Sequence, residues 1–239
     1  MTNWSNSFDI KNWSAWSSSI RTNEEWVAWA SNPFTPAGDE FPKIVAMQPI
    51  NRRRLKRLGC LALDPAYRMP ETSSPLIFCN RYGELDRCCA LLTELNKFGT
   101  IPPQSFSLAV HNAIPSLYTI DKKINSNVIA ISSDSGVLSA LIEAQGLFAS
   151  GESNVRIIVA EEQVPAPYKR YTNFSNESYG FVIDVVPGSE FKVGFSAEQK
   201  NSDNREPLSV NLNVLRFILN GESDFSEVIN GVNWQLRRG

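Results

Sequence analysis

Residues Asn127–Glu162 confine the fold more than any other stretch of this chain. A strand-like run, Val128–Ile131, ends in the small polar cluster Ser132, Ser133, Asp134, Ser135 and Gly136. Val137, Ala140, Leu141, Ala144, Leu147 and Phe148 then recur at helical spacing, and Val155–Ala160 reads as a second buried strand. That is one βαβ unit with small polar residues at the carboxyl end of its first strand, a common place for chemistry in α/β folds. No cysteine stands there.

A chain of 239 residues and 26.7 kDa buries a sizeable core. We read residues 1–239 as a single α/β domain. A second strand-to-helix passage supports that class. Leu76–Asn80 follows Pro75, and Leu85, Cys88, Cys89, Leu92 and Leu95 mark a helix that closes near Gly99 and the Pro102–Pro103 turn. Phe181, Ile183 and Val185 alternate, as do Phe191, Val193 and Phe195. With Pro187–Gly188 between them, they predict a hairpin. Lys200–Glu206 reads as a polar loop, and Val214, Leu215, Ile218 and Leu219 as a last helix.

Five of the six tryptophans, at positions 4, 13, 16, 26 and 29, crowd the first 35 residues. Their expected role is to cap the protein's own core, with Asn23, Glu24 and Glu25 giving a helix start near Trp26. Residues 49–63 read as one basic amphipathic helix starting at Pro49 and ended by Pro65. Leu55, Leu58 and Ala62 form its packed side, while Arg52, Arg53, Arg54, Lys56 and Arg57 crowd the rest. That basic face is either plainly solvated or a docking surface for an acidic partner or a phosphate.

The net charge of −2 gives no general reason to expect nucleic acid. No run reaches the roughly 20 apolar residues of a membrane span, and the opening residues do not read as a secretory leader. Cys60, Cys79, Cys88 and Cys89, two of them adjacent, read as free thiols, which suits a cytoplasmic setting. With one histidine and no CxxC, neither a metal site nor a cofactor is expected.

Two residues invite a catalytic reading. His111 is the only imidazole. Ser133, at a strand-to-helix turn, suits an activated nucleophile, and on paper Ser133, His111 and Asp134 make a triad for a freestanding serine acyltransferase or hydrolase. The plainer expectation is that the serines and Asp134 cap the following helix and that His111 is structural.

The pieces NRRRLKRLGCLAL at 51–63, FCNRYGELDRCCALLTEL at 78–95, SFSLAVHNAIPSLYTI at 105–120 and AISSDSGVLSALIEA at 130–144 resemble those of the ketosynthase-like, N-terminal-only family, in particular the chain length factors of aryl polyene biosynthesis. The resemblance implies a thiolase-like fold, truncated to the N-terminal half of a condensing enzyme. It puts Ser133 at the position of the acyl-accepting cysteine, so no catalytic residue is expected. Claisen-type condensation needs a thioester-forming nucleophile and groups that stabilise developing charge, and a serine keeps its proton where a cysteine is appreciably ionised. The implied role is the inactive half of a ketosynthase heterodimer that acts on acyl carrier protein. By the same resemblance His111, Asn112, Ile114, Leu117, Tyr118 and Ile120 lie at an acyl tunnel or the subunit interface, and Arg52–Arg57 dock a partner.

Overall fold

The computed structural model describes residues 6–172, 176–197 and 208–239, so the polar loop expected over Lys200–Glu206 lies outside the described residues. Its centre is a seven-stranded sheet in the order β3-β2-β4-β5-β7-β6, with β1 paired to β5 as well. The strands are β1 (Asn6–Ser17), β2 (Leu76–Cys79), β3 (Val128–Ile131), β4 (Val155–Glu161), β5 (Tyr179–Ala197), β6 (Asp224–Ile229) and β7 (Val232–Arg238). The helices are α1 (Asn23–Ser31), α2 (Pro49–Arg52), α3 (Arg57–Arg68), α4 (Leu85–Phe98), α5 (Pro103–Ser107), α6 (Ala113–Lys122), α7 (Val137–Ala149) and α8 (Val210–Asn220).

Strands β3, β2 and β4 are mutually parallel. The β3–α7–β4 unit is present as expected, and β2 lies between its two strands. Every residue of β2 and β4 is buried, because helices cover both faces, so these strands read as unbroken apolar runs. Ile77, Cys79, Ile157, Val159, Phe181 and Ile183 point into one core with α1, α7 and α8. Leu76, Phe78, Ile158, Ala160 and Val182 point into the other, with α3 and α6.

Trp16, Trp26 and Trp29 serve the protein's own interior, and Trp4 lies outside the described residues. Trp26 and Trp29 are buried and meet edge to face at 5.1 Å. Their helix starts at Asn23, three residues before the expected start near Trp26, with Thr22 and Glu25 closing a reciprocal capping box. The strand before it, β1, carries Trp16 into the core.

Two expectations fail for physical reasons. The single basic helix over 49–63 is two helices, broken over residues 53–56, and Pro65 lies inside α3 rather than ending it. Proline has no N–H for the carbonyl four residues back, here that of Leu61. Gly180 of β5 packs directly on this carbonyl, so closely that a Cβ at position 180 would overlap it. The Phe181–Phe195 hairpin is instead the single strand β5. β1 runs alongside both of its halves, and Pro187–Glu190 bulge out between the partners of Phe8 and Asp9. The Asp9 carboxylate holds the bulge by accepting from the amides of Ser189 and Glu190, both at 2.8 Å.

Candidate functional site

The carboxyl ends of β2, β3 and β4 bring Asn80, Arg81, Ser132, Ser133 and Glu161 together. Ser132 donates to the Arg81 carbonyl at 2.7 Å. The hydroxyls of Ser133, Ser135 and Ser139 form a closed triangle with sides of 2.8, 3.0 and 2.6 Å, and Ser133 Oγ also accepts from the Ser135 amide. Asp134 turns away and accepts from Asn230 at 2.9 Å.

None of these side chains caps α7, contrary to expectation. The cap comes from elsewhere in the chain. Asn211 of α8 accepts from the Val137 amide at 2.8 Å through Oδ1, while its Nδ2 is buried without a partner. The residue just before the helix, Gly136, has φ 53° and ψ −126°, a backbone state open to glycine and costly for other residues.

His111 stands apart from the serines. Its ring meets Phe78 edge to face at 5.5 Å, and Gly83 lies beside it. Burial holds its pKa below the ordinary histidine value, and Nε2 is buried without a partner. Ser133 finds its partners among serines, so the Ser133–His111–Asp134 triad is not assembled. Cys79, at the end of β2, is fully buried, and that burial pushes its thiol well above the usual range. All four cysteines are free. Among the described residues no group of histidine, cysteine and carboxylate side chains is arranged to hold a metal, and no helix is long and apolar enough to cross a membrane.

Near these strand ends lie the buried acids Glu161 and Glu177 and the half-buried Glu162. Glu161 accepts from the Arg81 amide at 3.0 Å and from Asn80 at 3.3 Å. Loss of solvent nevertheless raises its pKa to about 8, against the pull of Arg81. Glu177 accepts from the Ser209 amide at 3.1 Å but leaves Oε2 unpaired, and burial lifts it to about 7. Glu162, raised by burial and by Glu84, is also at about 7. The sequence reading missed these carboxylates, since acidic residues after a strand carry no sign of being buried.

The predicted interface residues divide. Ile114, Leu117 and Tyr118 are buried in the α3–α6 core, whereas Ile120 is 61% exposed and Asn112 is exposed. The basic run makes no continuous face. Arg52 donates to the carbonyls of Ile44 and Val45, Lys56 pairs with Asp86, and Arg57 reaches the Gly38 carbonyl and Ser178. Arg54 is half-buried, and Arg53 is the exposed member.

A second surface was not anticipated. Leu92, Leu95 and Phe98 stand at three-residue intervals along α4 and are 57%, 43% and 73% exposed. Phe106 and Val110, on and after α5, are 58% and 44% exposed. The Cys88 thiol, which donates to the Ala109 carbonyl at 3.8 Å, joins the two elements. The periodicity that announced α4 is in part a stripe facing outward.

The family model described as beta-ketoacyl synthase, N-terminal domain, matches residues 26–236. Among solved structures, the chain is similar to one described as the ketosynthase ApeO in complex with its chain length factor ApeC from Xenorhabdus doucetiae. The TM-score is 0.83 at 22% identity, covering 97% of this chain and 99% of that one. The ishigamide ketosynthase/chain length factor matches with a TM-score of 0.64 at 15% identity, over 90% of this chain and 73% of that one. A ketosynthase from module 6 of the bacillaene synthase of Bacillus subtilis 168 matches at 0.55 and 8% identity, over 81% of this chain but only 41% of the longer one. No curated protein matches the chain.

Proposed function

The chain belongs to the beta-ketoacyl synthase N-terminal domain family, with its thiolase-like α/β fold, and on that premise we propose that it is a non-catalytic chain length factor. In this reading it pairs with a ketosynthase in aryl polyene elongation on acyl carrier protein. The observation that carries it is the elbow before α7. Residues 132–139 hold serines, an aspartate and a glycine but no thiol, and the sole imidazole is engaged elsewhere. Without a nucleophile that forms a thioester, the partner must hold the growing chain on its own cysteine and carry out the decarboxylative step. The match in length to a chain of a ketosynthase/chain length factor complex supports the same reading.

The partner's place follows from what the surface leaves open. β3 pairs with β2 on one side only, and all four of its residues are half-buried. An edge strand offers unpaired backbone groups to another chain, and the apolar residues of α4 and α5 add what a stable interface needs at its centre. The ketosynthase therefore packs against β3 and α4 in this proposal. Co-expression with the candidate ketosynthase and affinity purification tests it. The Leu95→Glu/Phe98→Glu variant leaves the fold intact, since both side chains face solvent, and reduces recovered partner by about tenfold or more, as loss of a central apolar contact does. Recovery equal to wild type would exclude this surface.

Chain length is set, in the same proposal, by the side chains of α6 that close an apolar tunnel. Leu117 is the one to shorten, because Tyr118 also binds a buried arginine. Leu117→Ala shifts the products towards longer polyenes, read by mass spectrometry of the reconstituted pair. An unchanged distribution from a complex of normal stability would assign Leu117 to the core alone. Arg53 and Arg54 remain the members of the basic run available to an acidic carrier protein, and the four free thiols suit a cytoplasmic setting.

A further inference from the structure

The first turn of the basic run, α2, is too short to hold its own shape. A four-residue helix is unfavourable alone, and no side chain of the segment caps it. Its brace comes from the last turn of α6. Asp121 Oδ1 accepts from the Gln48 amide at 3.1 Å and from Asn51 Nδ2 at 2.8 Å, and Oδ2 accepts from the Tyr67 hydroxyl of α3. Asn51 is 6% exposed, so its carboxamide serves the interior. Partial burial works against the Asp121 charge, but the bonds from Tyr67, Asn51 and Gln48 outweigh it and hold its pKa below the ordinary carboxylate value.

The brace is fixed from within. Tyr67 meets Tyr118 edge to face at 5.4 Å, and the Tyr118 hydroxyl accepts from the buried Arg156 at 3.0 Å. On the outer side, Ile50 and Arg53 are three residues apart and share one face of the turn. Ile50 is 65% exposed, and Arg53 is exposed too. Val45, whose carbonyl accepts from Arg52 at 3.4 Å, is 80% exposed, so two aliphatic groups stand beside the free cation.

We propose that Asp121 is the positioning residue of the carrier-facing surface, holding Ile50 and Arg53 in the orientation that an acidic carrier protein meets. This rests on the reading of Arg53 and Arg54 as that protein's docking residues and deepens it. Asp121 acts through Gln48 and Asn51 rather than by touching the carrier, and a turn ordered in advance gives up less freedom on binding. Because Asp121 belongs to α6, the docking turn and the helix assigned to the tunnel share one brace.

Titration of unacylated acyl carrier protein into the full chain, alone and with the candidate ketosynthase present, gives a Kd for each variant well below its Tm. Charge and position predict opposite signs, since removing a carboxylate beside the arginines favours an acidic partner by charge alone. Asp121→Ala is expected to weaken binding about fivefold in spite of that, through loss of preorganisation. Asp121→Asn keeps an oxygen for Gln48 and Asn51 and donates to the Tyr67 oxygen. Its Kd should stay within about twofold of wild type, or fall. Binding by Asp121→Ala as tight as wild type, or equal weakening in the alanine and asparagine variants, would overturn the assignment.

Asn51→Ala covers the case in which Asp121→Ala does not fold. It removes one contact of the brace and is expected to weaken binding about threefold; an unchanged Kd would remove Asp121 from the role. Arg53→Glu, measured beside them, keeps two failures apart. Wild-type affinity in that variant would sink the docking reading and the brace with it. A loss of about tenfold there, with none in the Asp121 and Asn51 variants, would sink the positioning role alone.

Discussion

Replacing Asp184 by alanine is expected to destabilise the protein by about 3–5 kcal/mol, the cost of stranding a buried charge, read as a lower urea midpoint. Arg156 is 0% exposed and meets both carboxylate oxygens of Asp184, at 2.7 and 2.9 Å, across the β4–β5 pairing. Its remaining donors go to the Tyr118 hydroxyl at 3.0 Å and the Pro70 carbonyl at 2.8 Å. Burial alone would weaken the arginine's hold on its proton, but the bonds and charge of Asp184 outweigh it and raise the pKa. Without Asp184 the guanidinium has neither counterion nor water. The Arg156→Met/Asp184→Leu pair should recover most of the loss, since an apolar pair of similar volume avoids desolvating two charges. A double variant as unstable as the single one would mean that the ion pair contributes through packing rather than charge.

The second large effect is on pH. Glu161, Glu162 and Glu177 have folded pKa values of about 8, 7 and 7, all raised first by burial above the ordinary value of 4.5. In the unfolded chain they ionise near that ordinary value, so the folded state binds more protons between the two. Their contribution is complete below pH of about 4.5 and is lost as pH rises through 7 and 8. Each unit of offset corresponds to about 1.4 kcal/mol, so the combined effect is several degrees or more in Tm. His111 acts in the opposite sense. Its lowered pKa contributes above the ordinary value of 6.5 and is lost as pH falls below it. The melting temperature is therefore expected to rise as pH falls from 8.5 towards about 4.5, less steeply below 6.5, where His111 opposes the three acids. Glu161→Gln should flatten the alkaline side of the profile, and a Tm that rises towards pH 8.5 in the wild type would contradict the assignment.

Elements whose fate is decided locally were legible in the sequence. The α7 stripe and the buried runs of β2 and β4 follow from periodicity and end signals that the helix or strand carries within itself. What went astray was decided by a partner far along the chain. Pro187–Gly188 has the composition of a hairpin turn, but β1 supplies a template along both halves and makes it a bulge. The 49–63 stretch has one helical stripe, yet Arg52 and Arg57 are drawn to separate backbone carbonyls on either side of the break. β1 itself, with its mixture of serine, asparagine and tryptophan, gave no clean alternation, and the β6–β7 hairpin went unseen behind α8.

At the site the same division holds. The absence of a thiol was plain from composition, but the cap of α7 was not, because Asn211, which accepts from the Val137 amide, arrives from 74 positions later in the chain. Likewise, Leu92 and Leu95 announce a helix without saying whether their stripe faces inward or out.

The β1–β5 ladder has a consequence for biogenesis. Synthesis delivers β1 first and its partner only after most of the remaining strands, so the tryptophan-bearing segment waits unpaired while the ribosome completes the rest. Non-local pairings of this kind close late and slowly, and apolar surface left open meanwhile invites association with other nascent chains. Yield in a cell is thus governed by how long that first strand must be shielded, a demand on chaperones that the finished molecule no longer displays.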